Sequence, residues 1–402
     1  MHTLKIHWQR LLLALALSIG PLLHAQPGKP RLASTPYAPW EPFIGTNSST
    51  LALPDYHADY FAYSFVRTGE VAYVGLKISG QFGYARYMSY NFYEATQGAS
   101  LGSIRDVDMQ PLAGNVNPFT SPDPQATNRD YVVVVQPAGY ANNSQYNTFN
   151  LTNNQVTNLT VILRYYVPPE IQDVTADVAL PTIEAFDVRT QDPVDVPPLY
   201  SLYNTSKIGY ALGLRKIFDT IVDNQLRFYH VQGSGEFNNA DNDYLINAVD
   251  LSRDEVALIW VKPPTFAHDT SEFDTAQVRY WSFNEGSPDT STPFGLIDNA
   301  FHLASDGLAY IAVGAADIQT KAESFGYNFM PWDVRTRRGV ILYRNMLAQK
   351  SYPGNFDQVP YYTDSALIFS NNATNFIGNY APNGVKVSRR FFLKYGSDLL
   401  PQ

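Results

Sequence analysis

The chain has no cysteine in 402 residues. That excludes disulfides, thiolate nucleophiles and thiolate metal sites, and an exported eukaryotic protein of this size usually carries disulfides. Charge is also sparse, at 16%, against 45% apolar residues, so the composition excludes a disordered, solvating chain. Histidines are few and isolated (His57, His230, His268 and His302 beyond the first 25 residues), and no H-x-H or H-E-x-x-H pairing stands ready for zinc. Gly233-Ser234-Gly235 lacks the flanking spacing of a nucleophile elbow, and no glycine pattern for a nucleotide phosphate occurs. No apolar run approaches the roughly 20 residues of a membrane-spanning helix.

What is abundant is aromatic and turn chemistry: 28 Tyr, 23 Phe, 27 Pro and 25 Gly favour strands joined by turns. The first 25 residues read as a signal segment, with Lys5 and Arg10 ahead of an apolar run from Leu11 to Ile19 and a cut after Ala25. Its removal takes two basic residues and no acid, leaving 26 basic against 37 acidic side chains. A formal charge of −11 disfavours nucleic acid as a partner. With no cysteine, the reading is of an exported bacterial protein, periplasmic or extracellular, with no membrane span.

Two short runs organise the rest. Arg86-Tyr87-Met88-Ser89-Tyr90-Asn91 and Arg279-Tyr280-Trp281-Ser282-Phe283-Asn284 share Arg-Tyr-x-Ser-aromatic-Asn, and Glu70-Val71-Ala72 and Glu255-Val256-Ala257 precede them. Lys77 and Lys262 follow those runs, Asp55-Tyr56 matches Asp243-Tyr244, and Arg164 matches Arg344. The shared order points to one β-rich unit used twice. The expected class is mainly β: two tandem β-sandwich, jelly-roll-like units with a short helical connector. The expected boundaries are a signal at 1–25, an irregular arm at 26–48, a first unit at 49–168, a Pro-rich linker and helix at 169–235, and a second unit with its tail at 236–402. Leu212 to Phe228 is the helical window of that linker.

On a strand, alternate side chains face opposite ways. Arg86, Met88 and Tyr90 therefore share one face and Tyr87, Ser89 and Asn91 the other; Arg279, Trp281 and Phe283 oppose Tyr280, Ser282 and Asn284 in the same manner. A buried guanidinium needs a carboxylate, and Glu70 for Arg86 and Glu255 for Arg279 are the natural partners. The Tyr-Ser-Asn faces, with Trp281, are candidates for a shelf binding a sugar or another polar ligand. Asn239, Asp241 and Asp243 alternate as oxygen ligands and form a Ca²⁺ candidate; no other cofactor is implied. Asp106, Asp108, Asp298 and His302 are the candidates for acid–base work if the protein is a glycan hydrolase or lyase. A purely structural or surface-assembly role is the third reading.

The chain resembles a group of secreted bacterial proteins of unassigned function built from tandem β-sandwich domains. The resemblance rests on Arg-Tyr-x-Ser-x-Asn, Gly114-Asn115-Val116-Asn117-Pro118-Phe119, Asp306-Gly307, Asn328-Phe329-Met330-Pro331-Trp332 and Leu342-Tyr343-Arg344-Asn345-Met346-Leu347. It implies a tandem sandwich and transfers no catalytic residue.

Overall fold

The computed structural model describes residues 39–44, 53–66, 73–95, 98–121, 123–152, 158–167, 176–196, 225–230, 237–288, 291–362 and 372–401. The first nine strands are β1 (Glu41–Ile44), β2 (Ala58–Val66), β3 (Val74–Gln81), β4 (Tyr87–Glu94), β5 (Ala99–Arg105), β6 (Asp130–Pro137), β7 (Asn147–Leu151), β8 (Asn158–Tyr166) and β9 (Thr182–Asp187). The next nine are β10 (Tyr229–His230), β11 (Asn242–Asp250), β12 (Glu255–Val261), β13 (Tyr280–Gly286), β14 (Gly295–Ile297), β15 (Ala309–Gly314), β16 (Asn328–Pro331), β17 (Arg338–Met346) and β18 (Asn383–Ser388).

The strands form four sheets, ordered β1-β2-β8-β4-β5, β7-β6-β3-β9, β10-β11-β17-β13-β14 and β16-β15-β12-β18. Adding nine to every label of the first pair of sheets reproduces the second pair. Even the exceptions repeat, since β6–β7 and β15–β16 are parallel and the other pairings are antiparallel. The duplication is therefore a property of the topology.

Within each copy the two sheets pack face to face. In the second, Leu245, Trp281, Phe283 and Tyr343 of one sheet close on Ala257, Ile259, Ile311 and Met330 of the other. In the first, the Tyr90 and Tyr131 hydroxyls meet at 2.6 Å and Phe92 stacks on Phe149 with centroids 4.1 Å apart. The expected strand alternation is thus realised: Tyr90 and Phe92, like Trp281 and Phe283, fill their own sandwich. The opposite faces of β4 and β13 turn toward the other copy, where Tyr60, Tyr87, Tyr166, Tyr280 and Met346 share one buried cluster.

Sheet register corrects several sequence matches. β2 and β11 begin opposite Tyr166 and Met346, so Asp59-Tyr60, not Asp55-Tyr56, matches Asp243-Tyr244. The β3 pairings begin at Val74 and Leu76 and those of β12 at Glu255 and Ala257, so Glu255 matches Val74 and Leu258 matches Lys77. Glu70 itself lies outside the described residues. The arm expected to be irregular carries β1, and its Trp40 is buried. The Pro-rich linker carries β9, an edge strand between Pro181 and Pro193, where a missing N–H costs no ladder bond. Most of the helical window at 212–228 lies outside the described residues; its end is extended, with Gln225 bridged to Val385. The described α-helices are short: α1 (Gln319–Phe325), α2 (Thr374–Ile377) and α3 (Arg389–Tyr395).

Candidate functional site

The two arginines of the repeated strands each find a carboxylate, but in the other copy. Arg86 donates to Asp298 at 2.5 Å, and Arg279 donates to both oxygens of Asp106 at 2.7 and 2.8 Å. Asp106 and Asp298 occupy matching short turns after β5 and β14. Each also accepts from its own copy: Asp106 from the Met88 and Val107 N–H groups, Asp298 from those of Trp281 and Asn299. Burial raises both carboxyls above the ordinary range, against the pull of the facing arginine and these backbone donors. This is the reciprocal contact pattern of a two-fold dimer, written into one chain. Glu255 does not serve Arg279; it bonds Ser252 and lies 3.1 Å from Lys386. The expectation failed because it sought the partner on the preceding strand of the same copy.

The Tyr-Ser-Asn shelves are consumed by the same exchange. The segment ahead of β2 crosses to the second copy, where Asp55 accepts from the Tyr280 and Ser282 hydroxyls at 2.7 and 2.6 Å, from Asn284 at 3.3 Å, and from Arg344. Burial pushes the Asp55 carboxyl up, but Arg344, Ser282 and the His57 N–H together bring it below the usual value. The matching segment ahead of β11 crosses back. Arg344 donates to the Leu53 carbonyl, and Arg164 to the Phe237 carbonyl. Leu53 and Phe237 both hold left-handed backbone, at φ 47° and 53°, a costly conformation for such side chains that both copies keep. Tyr87, Ser89, Asn91, Tyr280, Trp281, Ser282 and Asn284 are all buried, so these faces offer no surface to a ligand.

One member of the exchange differs. Asn239 stands where Asp55 stands in the other copy, so Arg164 meets the Tyr93 hydroxyl at 2.8 Å and a backbone carbonyl rather than a carboxylate. Asn239 and Asp241 converge on the Tyr87 hydroxyl, whereas Asp243 bonds His230 at 2.6 Å. The three candidate calcium ligands therefore do not face a common point. Among the described residues no three His, Asp or Glu side chains group to hold a metal.

The acid–base candidates fare similarly. Asp106 and Asp298 are fully engaged, Asp108 is half exposed and paired with Arg105 at 2.7 Å, and the His302 ring lies 3.0 Å from the Gly326 carbonyl.

A surface that sequence reading passed over separates the copies. In the second, the outer face of β16-β15-β12-β18 is apolar: Val256, Leu258, Ala312 and Phe329 lie under Ala322 of α1 and Phe392 of α3. In the first, the matching sheet carries Lys77 for Leu258, Ser79 for Trp260 and Glu184 for Val385, and no described helix covers it. A groove of about 930 Å³ lies there instead, rimmed by Gln110–Ala113, Ser144–Tyr146 and Ala179–Leu180. Gln81, Gln110, Gln145, Ser79 and Thr182 offer amide and hydroxyl groups, and Leu112 and Tyr146 offer apolar surface. The signal was available in the alternation Lys77, Ser79, Gln81 against the nearly continuous apolar run of β12.

No protein-family model matches the chain, and no curated protein matches it. Among solved structures it is similar to an uncharacterized protein from Burkholderia cenocepacia, with 14% identity, a TM-score of 0.54, and coverage of 87% of this chain and 82% of that one. A protein from Vibrio parahaemolyticus matches at 9% identity with a TM-score of 0.42, over 78% of this chain and 87% of that one. The first likeness shows a shared fold with an uncharacterized bacterial protein. Among the described residues no helix is long and apolar enough to cross a membrane.

Proposed function

We propose that this is an exported binding protein for a polyhydroxylated ligand, a glycan, held in the groove on the outer sheet of the first copy. The observation that carries this reading is the contrast between matching faces: one sealed by apolar packing, the other left polar and concave. Amide and hydroxyl side chains can donate to and accept from sugar hydroxyls, and the half-buried Leu112 and Tyr146 suit the apolar side of a pyranose. The site lies on the far side of the first sandwich from the repeated Arg-Tyr-x-Ser-x-Asn strands, which hold the two copies together.

Glycan-array screening of the protein without its first 25 residues, followed by calorimetry, tests the reading. Gln81→Ala and Tyr146→Ala each remove a rim group with little effect on the core. Each is expected to weaken binding about tenfold, the equivalent of about 1.4 kcal/mol. Absence of binding to every glycan, or binding unchanged in both variants, would remove the proposal.

A further inference from the structure

We infer that the groove takes an uncharged, extended chain of about three sugar rings rather than a single sugar or an acidic chain; this rests on the glycan reading above. Register sets the length. Val132 pairs with Ser79 and Ser79 with Thr182, while Tyr146 immediately precedes the Val133–Asn147 pair, so Tyr146, Val132, Ser79 and Thr182 form one row across four strands. All four line the groove. Three inter-strand gaps span about 14 Å, roughly three pyranose rings laid end to end. Gln110–Ala113 stand along one side, at the Gln81 and Asp130 end of the strands, so a chain is directed across the sheet.

Charge sets the class. Lys77 is the single cation among the described lining residues, and its ammonium already faces Glu184 at 3.4 Å. Asp130 is the single acid among the described lining residues, and it accepts from the neutral Gln81 amide at 2.8 Å. Two carboxylates thus stand against one ammonium, so a carboxylated or sulfated chain would enter without a compensating cation.

Calorimetry with cello- and malto-oligosaccharides, from monosaccharide to hexasaccharide, alongside an oligouronate of matched length, tests the inference. Affinity is expected to rise at least tenfold from one ring to three and then level off, with the uronate at least tenfold weaker than the best neutral chain. Tyr146→Ala and Thr182→Ala, at opposite ends of the row, should each weaken the trisaccharide, and the pair together should abolish the length dependence. A monosaccharide binding as tightly as the trisaccharide, or a uronate binding as tightly as the neutral chain, overturns the inference and leaves the glycan reading standing. No binding by any of these chains overturns the inference, and the glycan array then decides the glycan reading separately.

Discussion

The outer sheets of the two copies have the same strand order and the same register, yet one is a buried layer and the other is a surface. Leu258 and Lys77 occupy matching positions; the first is 4% exposed beneath the α1–α3 cover, and the side chain of the second is 37% exposed. Duplication has preserved the inner sheets, where the copies meet, and released one outer sheet from packing duty. A sheet face that need not be covered can acquire polar groups without unfolding the sandwich, because its inner face supplies the core. The Arg86–Asp298 and Arg279–Asp106 pairs show the opposite regime, with identical residue types kept in both copies.

The largest effect should come from giving the covered face the chemistry of the open one. Leu258→Lys places an unpaired ammonium under α1 and α3, and about 3–5 kcal/mol of stability should be lost. Leu258→Met, which keeps volume and polarity, should cost under about 1.5 kcal/mol. Denaturant titration followed by tryptophan fluorescence reads both. Equal small losses would show that the cover on the second copy is loose.

A second comparison concerns the crossing segments. Asp55→Asn recreates in the second copy the arrangement that Asn239 already gives the first. Arg344 is then left buried without a carboxylate, and about 3 kcal/mol should be lost. The converse change, Asn239→Asp, hands Arg164 the partner it lacks and should add about 1 kcal/mol. If Asp55→Asn proves neutral, the exchange is held together by apolar packing and the charge is incidental.

Much of this architecture could be read in residues. The paired Arg-Tyr-x-Ser-x-Asn runs marked the duplication, the alternation on β4 and β13 sorted their faces correctly, and Arg86 and Arg279 did each take a carboxylate. The identity of that carboxylate could not be read, because Asp298 is far from Arg86 in sequence and reaches it only through the two-fold arrangement of the copies. The same arrangement hid Asp55 as the group that fills the second Tyr-Ser-Asn face. The groove was missed for a different reason. Matching Glu70 with Glu255 and Lys77 with Lys262 set the strands out of register, and so concealed that lysine replaces leucine on the outer face.

A third contrast is sensitive to pH. Glu285 matches Phe92 of the first copy, which stacks on Phe149; Glu285 is equally buried, and its carboxylate oxygens accept the Asp333 N–H at 3.0 and 3.1 Å. Burial raises its pKa from 4.5 to about 8. Between those values the folded protein binds more protons than the unfolded chain, so stability is full below pH 4.5 and falls as pH rises toward 8. The expected slope from this group is about 1.4 kcal/mol per pH unit. Glu285→Gln should remove that slope, seen as thermal midpoints that diverge from wild type with increasing pH. Parallel midpoint curves would mean that Glu285 is charged in the folded state.

The smallest effect should come from the reverse of the first substitution. Lys77→Leu gives the open face the residue of the covered one, at the cost of a surface pair with Glu184, whose side chain is 67% exposed. Exposed pairs of this kind contribute under about 1 kcal/mol, so the denaturation midpoint should barely move. Leu258→Lys and Lys77→Leu are then mirror-image changes with very different consequences, and that inequality measures how far the two faces have diverged. A loss above about 2 kcal/mol in Lys77→Leu would mean that the lysine is packed as tightly as its counterpart. The first face would then be a structural layer rather than a free surface, and the groove would lose its standing as a binding site.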